Sequence, residues 1–196
     1  MKTALACRWG LVALAVGALC ALPLAKREIA ALRDLVRMNV RRNASATKRA
    51  AKWVTMAMQP PMCYGFDVMR TGVLQHLDRD YTYDVVPAEL LGGFLFQGVH
   101  RPPKGTAIRF QLHAPAVVYF FFHEQVDGGY SAIFPGLEGW TRSAAYPQYD
   151  IHNGDHGLKM TMYRLSAPPG TYSIPATTED RACFNMVFVV DRGDSK

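Results

Sequence analysis

Acidic residues are nearly missing from the first quarter of the chain, where Glu28 and Asp34 stand against eleven Lys and Arg between residues 1 and 52. That stretch carries +9, while residues 53–196, with eleven Lys and Arg against 14 Asp and Glu, carry −3. The net +6 therefore belongs to an appendage, which removes the case for a basic nucleic-acid-binding face on the remainder. Charge is sparse overall, 19% against 49% apolar in 196 residues, which excludes wholesale disorder and leaves room for about one domain. Aromatic residues are scarce early: only Trp9 and Trp53 precede Cys63, and 20 of the 22 follow it. Also missing are a Gly-x-Ser-x-Gly elbow, a phosphate-cradling loop, a catalytic-cysteine signature and the second histidine of a His-Glu-x-x-His motif. No repeat of fixed period is present, so a solenoid is excluded.

What the N-terminal quarter does contain is one apolar run, the 17 uncharged residues from Trp9 to Ala25, preceded by Lys2 and Arg8. The run is long for a signal-peptide core and short for a membrane span, so a cleaved signal, an uncleaved anchor and an organellar presequence all fit it. The chain is therefore expected at a membrane, in the secretory pathway or at the cell surface, with an organellar membrane as the alternative. Residues 26–58 hold no Gly or Pro, and Ala, Leu, Met, Arg and Lys dominate them, which predicts a helix. Ile29, Leu32, Val36 and Val40 recur at helical spacing beside Arg33, Arg37 and Arg41, making a basic amphipathic stem suited to anionic lipid or to a partner helix. Asn43-Ala44-Ser45 is a glycosylation sequon.

Period two takes over after Pro60-Pro61. In residues 106–113, Ile108, Phe110 and Leu112 alternate with Arg109, Gln111 and His113, and Leu158, Met160 and Met162 alternate likewise. Residues 116–122 and 183–190 are apolar on both faces and read as interior strands; 93–98 and 170–174 add shorter ones. Turn signals at 101–105, 114–115, 127–129, 135–136, 153–155 and 168–170 leave no space for crossover helices. The expected fold is all-β, a two-sheet antiparallel sandwich of jelly-roll type over residues 60–196, behind a leader (1–25) and a helical stem (26–59). Cys63 and Cys183 lie at opposite ends of it. In an oxidising compartment a bridge would close a loop of about 120 residues, worth roughly 4–5 kcal/mol; in a reducing one both are buried thiols.

Chemistry concentrates in Asp150-Ile-His-Asn-Gly-Asp-His156. Asp150, Asn153 and Asp155 could offer oxygens to a cation, and His152 and His156 imidazoles, but Asn, Asp and Gly in such density are first of all a turn. His123-Glu124 and Asp127 end the most apolar strand, so a metal-dependent enzyme using His123, Asp150, His152 and His156 is one hypothesis. The other is a ligand surface made of Trp140, Tyr146 and Tyr149 with Asp150 and Asn153, since exposed rings stack on sugars. Against it, Trp140 could fold back and plug the sandwich. No catalytic residue and no cofactor are expected on this second reading.

The succession Pro115-Ala-Val-Val-Tyr119, His123, Asp127, Phe134-Pro-Gly-Leu-Glu-Gly-Trp-Thr141, Pro169-Gly-Thr-Tyr172 and Met186-Val-Phe-Val-Val190 resembles the accessory β-sandwich modules of secreted bacterial polysaccharide-degrading enzymes. The resemblance covers roughly residues 110–190 and implies a non-catalytic module. The expected function is a non-enzymatic interaction module, membrane-anchored or exported, with a glycan or protein partner and lipid contacts through leader and stem. A structural subunit of a membrane complex is the alternative.

Overall fold

A computed structural model describes residues 23–123, 139–151, 155–174, 176–177 and 183–191. Two helices come first, α1 (Pro23–Arg42) and α2 (Ala44–Ala50). Strands follow: β1 (Val54–Gln59), β2 (Gly65–Val68), β3 (Thr82–Val85), β4 (Phe94–Gln97), β5 (Ala107–Leu112) and β6 (Ala116–His123). Then come β7 (Thr141–Arg142), β8 (Gln148–Ile151), β9 (Asp155–Ala167), β10 (Gly170–Ile174) and β11 (Phe184–Val190). The chain is mostly β and its pairings are antiparallel. One sheet has the order β1-β5-β10; the larger runs β2-β4-β11-β6-β9-β8-β3, with β7 also on β9.

Alternation decides which side chains enter the core. On β5, Ile108, Phe110 and Leu112 are buried while Arg109 and Gln111 are exposed, as is His113 just beyond it. With Val54, Met56 and Met58 of β1 and Ile174 of β10 they face Phe66, Phe94, Phe96, Val118, Phe120, Phe122, Phe184, Met186 and Phe188 of the large sheet. The central strands β6 and β11 are apolar on both faces because both are covered. Tyr119, Phe121 and Val187 point the other way, into a second cluster with Met69, Tyr83, Leu90, Leu95, Tyr149, Met160 and Met162. The segment between β2 and β4 supplies that second cover, so its five buried apolar residues Met69, Val73, Leu77, Tyr83 and Leu90 belong to the core although three of them lie outside strands and helices.

The helix expected over residues 26–58 stops at Ala50. Val54–Gln59 is a strand paired with β5 from Val54↔Leu112 to Gln59↔Ala107, with burial alternating residue by residue. β-branched Val54 and Thr55 suit that pairing, and tertiary contact overrides the helix propensity of Met and Ala. Nor does the stem present Ile29, Leu32, Val36 and Val40 as a free apolar face. The buried stripe is Val36, Asn39, Asn43, Ala46 and Ala50, two amides and two methyls beside one valine, while Leu32 is exposed. No helix among the described residues is long and apolar enough to cross a membrane; the run from residue 9 extends to 25, and residues 9–22 of it lie outside those described.

The sequon is likewise corrected. Asn43 is 2% exposed, and its Nδ2 donates to the Gln97 Oε1. An asparagine in that position has no room for a glycan. Cys183 is a buried thiol outside any disulfide, so no bridge ties it to Cys63.

Candidate functional site

Among the described residues, eight of the ten buried polar ones gather in one region: Asn39, Asn43, Gln75, His76, Asp78, Gln97, His100 and Asn185. Burying so many amides and imidazoles is costly unless each finds partners, and the partners define a clamp around residues 74–78. Leu74 bridges Thr82, and the Gln75 N–H donates to the Tyr81 carbonyl at 2.9 Å, folding this stretch back on itself. The Leu77 N–H then reaches the Gly98 carbonyl at 3.0 Å. From α1, Asn39 Nδ2 donates to the Leu77 carbonyl at 2.8 Å. From β4, Gln97 Nε2 donates to the Leu74 carbonyl, and its Oε1 accepts from Asn43 Nδ2. From β11, Asn185 Nδ2 donates to the Gln75 carbonyl at 2.7 Å and the Phe96 carbonyl at 3.3 Å, while its Oδ1 accepts the Tyr83 hydroxyl at 2.8 Å. Three elements distant in sequence thus fix one short segment.

His76 sits in the middle of that segment, fully buried. Its Nε2 lies 3.3 Å from Sγ of Cys183, the residue that leads into β11. His100, just beyond β4, stands edge-on to it with ring centroids 5.0 Å apart, and Tyr81 closes on the other edge of His100 at 5.1 Å. The ligating atoms of His76, His100 and Cys183 all fall within 4.8 Å of one another. Asp78 completes the surroundings: its Oδ1 accepts the His100 N–H at 2.7 Å and its Oδ2 meets Arg79 at 3.3 Å.

Electrostatics sort these groups. Burial pushes the Cys183 thiol well above its ordinary range, so it rests protonated and is not a ready nucleophile. Burial, then the Arg79 and Arg101 guanidinium groups, lower His100 to about 4, which keeps its imidazole neutral and able to donate a lone pair. Burial raises the Asp78 carboxyl against the opposing pull of the His100 N–H and Arg79. Two buried imidazoles and a thiol make a donor set for a soft cation; as an acid–base pair the thiol would first have to lose its proton.

The residues singled out from the sequence lie elsewhere. Trp140 is half-buried and packs edge-on against Phe120 at 6.2 Å, the plugging arrangement. Tyr146 is half-buried with Lys159 Nζ 5.3 Å from its ring centroid. Tyr149 is 4% exposed and belongs to the second core cluster, because β8 turns it inward opposite Tyr83 and Leu158; it is not part of an open aromatic platform. Asp150 is half-buried on β8, opposite Thr82. The turn reading of residues 150–156 fits the hairpin, since β8 and β9 pair from Ile151↔Asp155. His152 and Asn153 lie outside the described residues, and of Asp155 and His156 only the backbone is described, in β9. His123 ends β6, and Glu124 and Asp127 also lie outside the described residues. Sequence reasoning missed His76, His100 and Cys183, which stand 24 and 83 residues apart in order.

No protein-family model matches the chain, and no curated protein matches it. Among solved structures, a β-glucuronidase from glycoside hydrolase family 2 aligns with a TM-score of 0.51 at 14% identity, over 66% of this chain and 14% of that one. At that identity the likeness concerns the fold alone: a β-sandwich-like domain of the kind found within a carbohydrate-active enzyme, in keeping with the resemblance seen in the sequence.

Proposed function

We propose that the chain is a non-enzymatic, jelly-roll-like β-sandwich interaction module, held at a membrane by its N-terminal segment and binding a glycan along the β7–β8–β9 edge. The observation that carries the reading is a pair of half-buried rings there: Trp140 beside β7, one side of which packs on Phe120, and Tyr146 ahead of β8, with Lys159 Nζ of β9 over one face. Such rings offer an apolar face to a sugar, and the neighbouring Arg142, Asp150 and Lys159 offer hydrogen-bonding groups. The sandwich likeness to part of a β-glucuronidase is consistent with that ligand class but names none. Anchoring rests on the apolar run that leads into α1. Residues 28–35 of that helix are mostly exposed, whereas Val36 and Asn39 are buried and Asn39 bonds the Leu77 carbonyl, so the helix would act as a short rigid stalk.

The full chain in detergent micelles, screened on a glycan array and titrated calorimetrically with any hit, tests the placement. Trp140→Ala with Tyr146→Ala should weaken binding at least about tenfold, on the order of the 1.4 kcal/mol that two lost ring contacts would supply. Absence of any glycan hit, or a hit indifferent to both substitutions, rejects it. A structural subunit of a membrane complex is the second reading, favoured by Met38 and Leu32, which stand exposed on α1 at 58% and 37%. It requires co-migration with a large assembly in native detergent extracts.

A further inference from the structure

We infer that His76, His100 and Cys183 form a binding site for one thiophilic d¹⁰ cation, Cu⁺ or Zn²⁺. The three donors come from separate parts of the fold: the clamped 74–78 segment, the exit of β4 and the entry of β11. Chance burial of a single His or Cys is ordinary; convergence of three ligating atoms within 4.8 Å, all in residues no more than 6% exposed, is what a metal requires. The geometry is close to that of a bound set. Donors at about 2.0–2.1 Å (N) and 2.3 Å (S) from a common tetrahedral centre stand roughly 3.3–3.8 Å apart, and the His76 Nε2 to Cys183 Sγ separation is 3.3 Å. The His100 ligand nitrogen lies within 4.8 Å of both.

Ligand type selects the ion. One thiolate and two neutral imidazoles are borderline-to-soft donors, which favour Cu⁺ and Zn²⁺ over Mg²⁺ or Ca²⁺. With Cu⁺ the three-coordinate complex is complete and carries no net charge, which suits a dry pocket bordered by Arg79 and Arg101. Zn²⁺ would leave a net +1 and an open fourth position for a water, since the Asp78 oxygens are held by the His100 N–H and Arg79. In either case binding displaces the Cys183 proton to solvent, so one proton leaves for each ion taken up. The supporting shell is already in place. Asn39, Gln97 and Asn185 hold the backbone on either side of His76, and Asp78 holds the His100 backbone. Those hydrogen bonds place the donors before any ion arrives, which is how a protein keeps metal affinity high.

The test uses the full chain in detergent, reduced and stripped with chelator, then titrated separately with Zn²⁺ and with Cu⁺ against a chromophoric competitor. After desalting, metal content by elemental analysis should approach one equivalent of one of the two ions. Cys183→Ser, His76→Gln and His100→Gln should each weaken binding at least about a hundredfold. Because a buried variant can fail to fold, the wild type carries its own readouts. Co²⁺ should produce a thiolate-to-metal charge-transfer band, and peptide mapping should find Cys183 shielded from alkylation in the presence of metal and modified in its absence under mild denaturant. Failure of the wild type to retain either ion overturns the site. So does metal whose affinity is unchanged in folded variants, or whose charge-transfer band appears without protection of Cys183, since the ion would then sit on Cys7, Cys20 or Cys63. A preference for Cu⁺ or for Zn²⁺ decides between the neutral and the open complex.

Discussion

Asn185 shows how much a single buried amide can hold. It donates to two carbonyls, Gln75 and Phe96, and accepts from the Tyr83 hydroxyl, all in a region without solvent. Asn185→Leu would strand three polar groups at once, and each orphaned group costs about 1–3 kcal/mol. The expected loss, measured by urea unfolding, is therefore at least about 3 kcal/mol, whereas Tyr83→Phe, which removes only one of the bonds, should cost about 1 kcal/mol. His100 makes a prediction with a sign. Its pKa is about 4 in the fold and about 6.5 in an unfolded chain, so between those values the unfolded state binds the extra proton. Metal-free protein should be at full stability above about pH 6.5 and lose it progressively on acidification toward 4. The facing groups are His76, Tyr81, Cys183, Arg79, Arg101 and Asp78; the last opposes the trend at the acid end, because its raised pKa makes the folded state take a proton sooner. Unfolding curves at pH 7.5 and 5.5 should therefore show a drop, and His100→Gln should flatten it. An equal drop in the variant would remove His100 as the cause.

At the scale of elements, the contact of the stem with the sandwich is polar where an amphipathic helix would be greasy. Asn39, Asn43 and Thr47 follow one another at intervals of four, and each bonds a group on the domain: the Leu77 carbonyl, the Gln97 side chain and the Phe66 N–H, the last at 2.9 Å. Since Asn43 is committed to that contact, secretion from a glycosylating host should yield a chain whose mass does not change on glycosidase treatment. Any glycan found on Asn43 would mean that the helix does not dock as described. This contact also marks where the sequence is legible and where it is not. Strict period two gave away β5, and unbroken apolar runs gave away β6 and β11, because each pattern reports local burial. β1 was hidden, since Val-Thr-Met-Ala-Met-Gln reads as helix until β5 is there to pair with it. The donor cluster was hidden more deeply: His76, His100 and Cys183 share no spacing, and only the return of β11 alongside β4 brings them together. Dense Asp, Asn and His at 150–156 stand out instead, and of these 152–154 lie outside the described residues.

For the whole molecule the question is where the folding unit begins. A compositional boundary at Pro60 would put β1 and both helices outside it; the pairing of β1 with β5 and the clamp from Asn39 and Asn43 put them inside. Removing residues 1–59 would expose the flank of β5 and take Val54, Met56 and Met58 out of the core. At about 2 kcal/mol for each buried side chain the loss is roughly 6 kcal/mol before the helix contacts are counted, comparable with the 5–15 kcal/mol that holds a typical domain together. An unpaired, apolar-backed strand edge is moreover a template for aggregation. A chain starting at residue 60 should therefore be aggregated or non-cooperative in thermal melts followed by circular dichroism. One starting at residue 34 keeps Val36, Asn39, Asn43 and β1, and should melt cooperatively within a few degrees of the full protein. If residues 60–196 alone give a monomer that melts as sharply as the longer chain, then β1 and the helices are ornaments on a sandwich that does not need them, and the stalk they form would be free to move independently of the site it carries.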